Sequence, residues 1–331
     1  MKTIFPKKLN KGDKVRVVAP ARSLNIISDD SRDIANKRFA DMGFELSFGK
    51  YVDEVHCFDS ASVEHRVHDL HEAFADRSIS AVITVIGGFN SNQLLKHLDW
   101  QLIASNPKIF CGFSDITILN NAIYKKTGLV NYYGPHYSSF GQKLHFEYTL
   151  DYFRRCLMSE DSYSVDSSQF WSDDRWYAEQ NRRSMINNAG MFPINNGEAK
   201  GVALGGNLCT FNLLQGSEYF PDLTGSILFV EDAELTGAYS DTVFDRNLQS
   251  LLCLPDFDKV RGIVIGRFQK ASHMSISKLT TIVRNKPELD NIPVIADADF
   301  GHTDPKFTWP IGGDISISVA DNDISIKVMR H

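Results

Sequence analysis

Short apolar runs recur through the first 133 residues, and each is separated from the next by a stretch with helical periodicity. KVRVVA (14–19), ELSFGKY (45–51), AVITVI (81–86), KIFCGF (108–113) and LVNYY (129–133) read as strands. Between them, Asp30–Met42, Ala61–Asp76, Ser91–Leu98 and Asp115–Thr127 read as helices. In the second of these, Val63, Val67, Leu70 and Phe74 fall on one face. Apolar strands separated by helices cannot form hairpins with one another. They imply a parallel sheet with helices on both faces, which makes this an α/β chain.

The pattern then breaks. Residues 159–198 are polar, acidic and serine-rich, and make a poor core. They read as a connection running over the surface. The second half restarts at GVALGGNLCTFNLLQG (201–216), with strands at 226–231, 260–268 and 293–301 and helices at 241–252 and 277–285. Residues 315–329 read as a hairpin turning at the Asp-Asn-Asp of 321–323. The expected organisation is an N-terminal α/β domain over 1–158, a connection over 159–199, and a C-terminal domain over 200–331. A length of 331 residues with 43% hydrophobic content supports about two such cores.

Composition excludes several classes. The net charge is −6 and no basic stripe is present, which argues against a nucleic-acid polymer as partner. No apolar stretch approaches the roughly 20 residues needed to cross a bilayer, so no membrane is expected. The N-terminus has basic residues but no apolar core of a secretory signal. Cysteines 57, 111, 156, 209 and 253 are odd in number and never spaced CxxC, so they read as buried thiols in a reducing, cytoplasmic setting. His65, His68 and His71 invite a metal reading, but helical geometry fans them over about 120° of the polar side, where solvation is expected.

In open α/β sheets, ligands bind beyond the carboxyl ends of the strands. The polar groups standing there are Gly87-Gly88, Ser114, Glu231 and His302. A hydroxyl, a carboxylate, an imidazole and glycine amides are the inventory of acyl transfer. Each also has a plain structural alternative. A serine before a helix is commonly an N-cap, although the capping-box residue three positions on is absent here, as is a GxSxG elbow. Glu234 competes with Glu231. His302 competes with His136, which sits in GPHYSSFG beyond the strand at 129–133. GGFN (87–90) lacks a phosphate-loop pattern, yet its amides can receive an oxyanion.

Seven segments, spread over nearly the whole chain, resemble the LD-carboxypeptidase family of serine peptidases. They are VVAPARS (17–23), VITVIGGFNSNQLL (82–95), NPKIFCGFSDIT (106–117), NYYGPHYSSFG (131–141), ALGGNLCTF (203–211), LFVEDAE (228–234) and FGHTDPKFTWPIG (300–312). GGFNSNQLL and GPHYSSFG are most similar to the microcin C immunity branch. The resemblance implies a flavodoxin-like N-terminal sheet, a mixed α/β C-terminal domain and a homodimer. It implies Ser114 as nucleophile, Glu231 as the acid and His302 as the base. The amides of Gly88 and Asp115 would form the oxyanion hole, with Asn90, Trp171 and Trp176 at the substrate. No metal and no cofactor is implied.

The expected reaction is hydrolysis of an amide at an acidic residue, in a small peptide or an aminoacyl-nucleotide. The alternatives are a cell-wall tetrapeptide LD-carboxypeptidase and a ligand-binding protein without catalysis. The chain departs from the family pattern twice. Asn187-Asn188-Ala189-Gly190-Met191 replaces an expected Asn-Glu-Gly-Trp element, and Ala21-Arg22 stand where two serines are usual.

Overall fold

The computed structural model describes residues 2–321 and 323–331. Five strands, β1 (Lys14–Val18), β2 (Glu45–Phe48), β3 (Ile79–Thr84), β4 (Ile109–Gly112) and β5 (Asn131–Tyr133), lie parallel in the order 2-1-3-4-5. That is the flavodoxin-like order, with its reversal point between β1 and β3. Val15, Val17, Val18, Ile83 and Phe110 are wholly buried, as central parallel strands require. Helices α1 (Asp29–Asp41) and α2 (Val63–Ala75) begin where Ser28 and Ser62 accept an amide proton, from Ser31 and His65. The expected helix over 91–98 is instead a 3-10 turn at Ser91–Leu94, followed by the short α3 (Trp100–Ser105). Then come α4 (Thr117–Thr127) and α5 (Glu147–Met158).

The connection carries short strands: β6 (Tyr163–Ser164), β7 (Phe170–Trp171), β8 (Ile186–Asn187) and β9 (Phe192–Asn195). After it come β10 (Gly197–Asn207), α6 (Leu208–Asn212), β11 (Ser226–Glu231), α7 (Ser240–Leu252), β12 (Gly262–Gly266), α8 (Ile276–Arg284) and β13 (Val294–Ala298). The chain ends with β14 (Trp309–Ile311), β15 (Asp314–Ala320) and β16 (Asp323–Arg330). The second sheet runs 6-16-15-10-11-12-13-9. Its centre, β10 to β13, is parallel, and its flanks are antiparallel. The mixed α/β class expected for this half is the one found. The hairpin of β15 and β16 is present, while its turn residue Asn322 lies outside the described residues.

β14 pairs antiparallel with β5 and so joins the first sheet, which the sequence pattern closes at β5. Pro310 sits in it without cost because an edge strand leaves one side unpaired. The expectation of buried thiols holds for Cys111 and Cys156 only, since Cys209 is half-buried and Cys57 and Cys253 are exposed. The three helix histidines are not simply solvated. His65 stacks on Tyr51 at 3.7 Å and pairs with Glu54, and His71 accepts the Asp99 amide proton. No helix among the described residues is long and apolar enough to cross a membrane.

Candidate active site

β4 ends at Gly112, and the chain turns sharply through Phe113 into a 3-10 turn over Ser114–Ile116. Ser114 adopts φ +60°, a left-handed conformation that non-glycine residues rarely hold without a reason. It is not an N-cap, because its hydroxyl makes no capping bond to the turn. Oγ lies instead 3.0 Å from Nε2 of His302. Gly87 makes room for this elbow: a Cβ there would stand 2.9 Å from the Ser114 Cβ.

Glu231 closes β11 and is fully buried. Its Oε2 accepts from Nδ1 of His302 at 2.7 Å. Its Oε1 accepts from the Tyr133 hydroxyl at 2.7 Å and from Asn207 Nδ2 at 3.3 Å. Burial alone would raise this carboxyl, but the adjacent His302 and the donors Tyr133 and Asn207 hold it below the usual 4.5. With Nδ1–H given to a carboxylate, Nε2 of a neutral imidazole is left to accept the Ser114 proton. Glu234 does not reach His302, because its Oε1 accepts the Gly237 amide proton instead.

Gly88 and Asp115 line the same cleft as Ser114, and the amide of neither has a hydrogen-bond acceptor among the described residues. The Asp115 side chain ties the two turns together. Its carboxylate accepts from the amides of Asn90 at 3.1 Å and Ser91 at 2.9 Å. Asn90, expected at the substrate, is turned inward. Its amide group bonds Ser60 and Arg66 and does not line the cleft.

These groups open on a cleft of about 570 Å³. Trp176 lines it, beside Tyr177. Trp171 does not; its ring is held under Arg267 and Lys270. His136 also lines the cleft. Thr84 Oγ1 donates to the Cys111 carbonyl, so it accepts from Nδ1–H of His136, and Nε2 is left buried without a partner. Burial, with His302, Lys306 and Arg22 nearby, keeps that imidazole neutral, well below its ordinary 6.5. The loop over the cleft is pinned by Arg183, whose guanidinium lies 2.6 Å from Asp174 and 3.6 Å from Asp304.

Two contributors escape the sequence reading, Tyr133 and Asn207. Both end strands, so the rule that singles out Ser114 and Glu231 reaches them too. Asn207 stands opposite Glu231 in the register of β10 and β11.

The profile of the LD-carboxypeptidase N-terminal domain matches residues 15–134, and that of the C-terminal domain matches 200–317. YocD of Bacillus subtilis (strain 168) is 46% identical over 328 residues, covering 99% of this chain and 100% of YocD. The microcin C7 self-immunity protein MccF of Escherichia coli is 33% identical over 300 residues, covering 86% and 84%. A crystal structure of an MccF-like protein from Bacillus anthracis str. Ames superposes with TM-score 0.99 at 49% identity, covering 99% of this chain and 100% of that one. MccF in complex with glutamyl sulfamoyl guanosine superposes with TM-score 0.86 at 28% identity, covering 98% of each chain. With both domain profiles matched in order and relatives aligned end to end, the chain belongs to the LD-carboxypeptidase family.

Proposed function

We propose that the chain is a serine carboxypeptidase or amidase that uses Ser114, His302 and Glu231 as a catalytic triad. His302 Nε2 takes the Ser114 proton as Oγ attacks the amide carbonyl. Glu231 fixes the imidazole tautomer and stabilises the imidazolium that forms. The Gly88 and Asp115 amides receive the oxyanion, a contribution of about 3–4 kcal/mol per donor in comparable sites. His302 then returns its proton to the leaving nitrogen. Water, activated by the same imidazole, releases the acyl group from Ser114.

The observation that carries this reading is the unbroken chain of contacts from Ser114 through His302 to Glu231, at 3.0 and 2.7 Å, ending in a fully buried carboxylate. The substrate proposed is an amide on the carboxyl side of an acidic residue, in an aminoacyl-nucleotide or related small peptide. It is supported by the end-to-end likeness to MccF, which was solved with glutamyl sulfamoyl guanosine, and by Trp176 on the cleft wall.

The test is mass spectrometry of products from wild type and Ser114→Ala. Glutamyl sulfamoyl-adenosine and a murein tetrapeptide ending in D-alanine are incubated in parallel. Free glutamate from the first, absent with the variant, supports the proposal. D-alanine from the second assigns cell-wall peptides as substrate. Undiminished turnover by Ser114→Ala would overturn the triad.

A further inference from the structure

Arg22 follows β1 at the reversal point of the first sheet, where ligands of such sheets bind. Its backbone packs on the candidate oxyanion turn: a Cβ on Gly88 would stand 3.2 Å from Arg22 Cγ and 3.3 Å from its amide nitrogen. Nε donates to the Gly87 carbonyl at 3.3 Å, and the backbone amide donates to the same oxygen at 3.4 Å. Two bonds therefore hold the stem, and the fork formed by the two terminal nitrogens has no acceptor and no acidic partner among the described residues. The residue is half-buried.

Most other charges at the cleft have partners among the described residues, Glu234 excepted: half-buried and without a counter-ion, it accepts the Gly237 amide proton. Lys306 is bound to Asp304, Asp174 to Arg183 and Asp173 to Lys270. Arg175 is unpaired too, but it is exposed on the overlying loop. Arg22 also borders a second chamber of about 410 Å³, which shares Ile86, Ser138, Trp176 and Tyr177 with the cleft. A half-buried guanidinium held by its stem beside the candidate oxyanion turn, and lacking a counter-ion, is preorganised for one.

We infer that Arg22 is a specificity-determining residue that receives a carboxylate of the substrate, presented within a few bonds of the scissile amide. The inference rests on the function proposed above. Two carboxylates have this chemistry, the terminal carboxylate of the leaving residue and the side-chain carboxylate of the acyl residue. Either would bind the fork bidentately while the carbonyl oxygen faces the Gly88 amide.

Two substrate pairs separate them. One is a murein tetrapeptide with a free C-terminal D-alanine, against its C-terminal carboxamide. The other is glutamyl sulfamoyl-adenosine against glutaminyl sulfamoyl-adenosine. Wild type, Arg22→Ser and Arg22→Lys are compared by kcat and KM. Arg22→Ser is expected to raise KM about 10–100-fold for the anionic member of one pair. Its effect on the neutral member should be smaller, so that the charged-to-neutral ratio of kcat/KM falls, and Arg22→Lys should restore part of the preference. The pair that responds names the carboxylate. Equal losses on charged and neutral members would overturn the inference, as would a preference that survives Arg22→Ser, while leaving the triad standing. A wild type that cleaves none of the four would overturn the proposed function and this inference with it.

Discussion

Gly301 and Glu231 are in such close contact that a Cβ on Gly301 would stand 2.5 Å from Oε2 of the carboxylate. Gly301 also holds φ +98°, which side-chain-bearing residues resist. The residue before His302 therefore sets how near the imidazole comes to its acid. Gly301→Ala is expected to destabilise the fold by about 1–3 kcal/mol and to lower kcat by more than the stability loss explains. Denaturant melts paired with turnover numbers check both.

Glu231→Gln tests the acid directly. The amide keeps the volume and can still accept from Tyr133, but it no longer favours an imidazolium. By analogy with the same change in other triads, kcat should fall by about 10³–10⁴. The melting temperature should move little. A variant within tenfold of wild type would show that His302 acts without Glu231.

Asp115→Ala removes the acceptor shared by the Asn90 and Ser91 amides. Those two donors are buried, and leaving them unpaired costs about 1–3 kcal/mol each. The turn bearing Gly88 loses its tie to the Ser114 elbow, so kcat should drop while KM changes less. Hydrogen exchange at residues 88–91 should accelerate in the variant. Unchanged protection there would show that the turn holds itself.

Asp232 gives a pH signature. Burial, and then the neighbouring Glu231 charge, push its carboxyl from 3.8 up to about 6. A carboxyl raised in the fold favours the folded state while protonated. That contribution is complete below the unfolded value and is lost as pH rises through about 6. Asp232→Asn should therefore raise the melting temperature above pH 7 relative to wild type, by an amount worth about 3 kcal/mol, and change little near pH 4. Thermal melts across pH 4–8 decide it. Parallel curves would mean that Asp232 titrates as it does in the unfolded chain.

Arg183→Met keeps the buried stem of the side chain but removes its ion pairs with Asp174 and Asp304. The loop carrying Trp176 should loosen, seen as faster proteolysis within 173–184 and a raised KM. A wild-type cleavage pattern would assign the pinning to the backbone pairing of Ser172 with Asp304.

The parts of this molecule legible in its sequence are those governed by local periodicity. Burial on both faces makes β3 and β4 continuous apolar runs, and strand tips followed by polar residues mark Ser114, Glu231 and His302. Side-chain direction is not legible in this way. Tyr133 reads as one more aromatic in a strand, and only the arrival of Glu231 from the second sheet turns its hydroxyl into a donor. Asn90 sits in a motif that suggests ligand contact, yet Arg66 and Ser60 claim its side chain from a distant helix and loop. The two tryptophans of the connection look equivalent. Arg267 and Lys270 capture Trp171, and Trp176 is left on the cleft. β14 is short, contains a proline and follows an irregular loop, so nothing local announces that it crosses to the other sheet.

That crossing has a consequence for the order of events during synthesis. The loop bearing His302 is anchored at one end by β13 and at the other by β14 against β5. A ribosome-bound chain that has released only β1 to β5 already contains Ser114, but not His302, its proposed base. On the proposed triad, Ser114 gains its base only once β14 has emerged and paired with β5. If that triad is the catalyst, partly made chains lack the proposed activity, and the edge strand completes the site and the first sheet together.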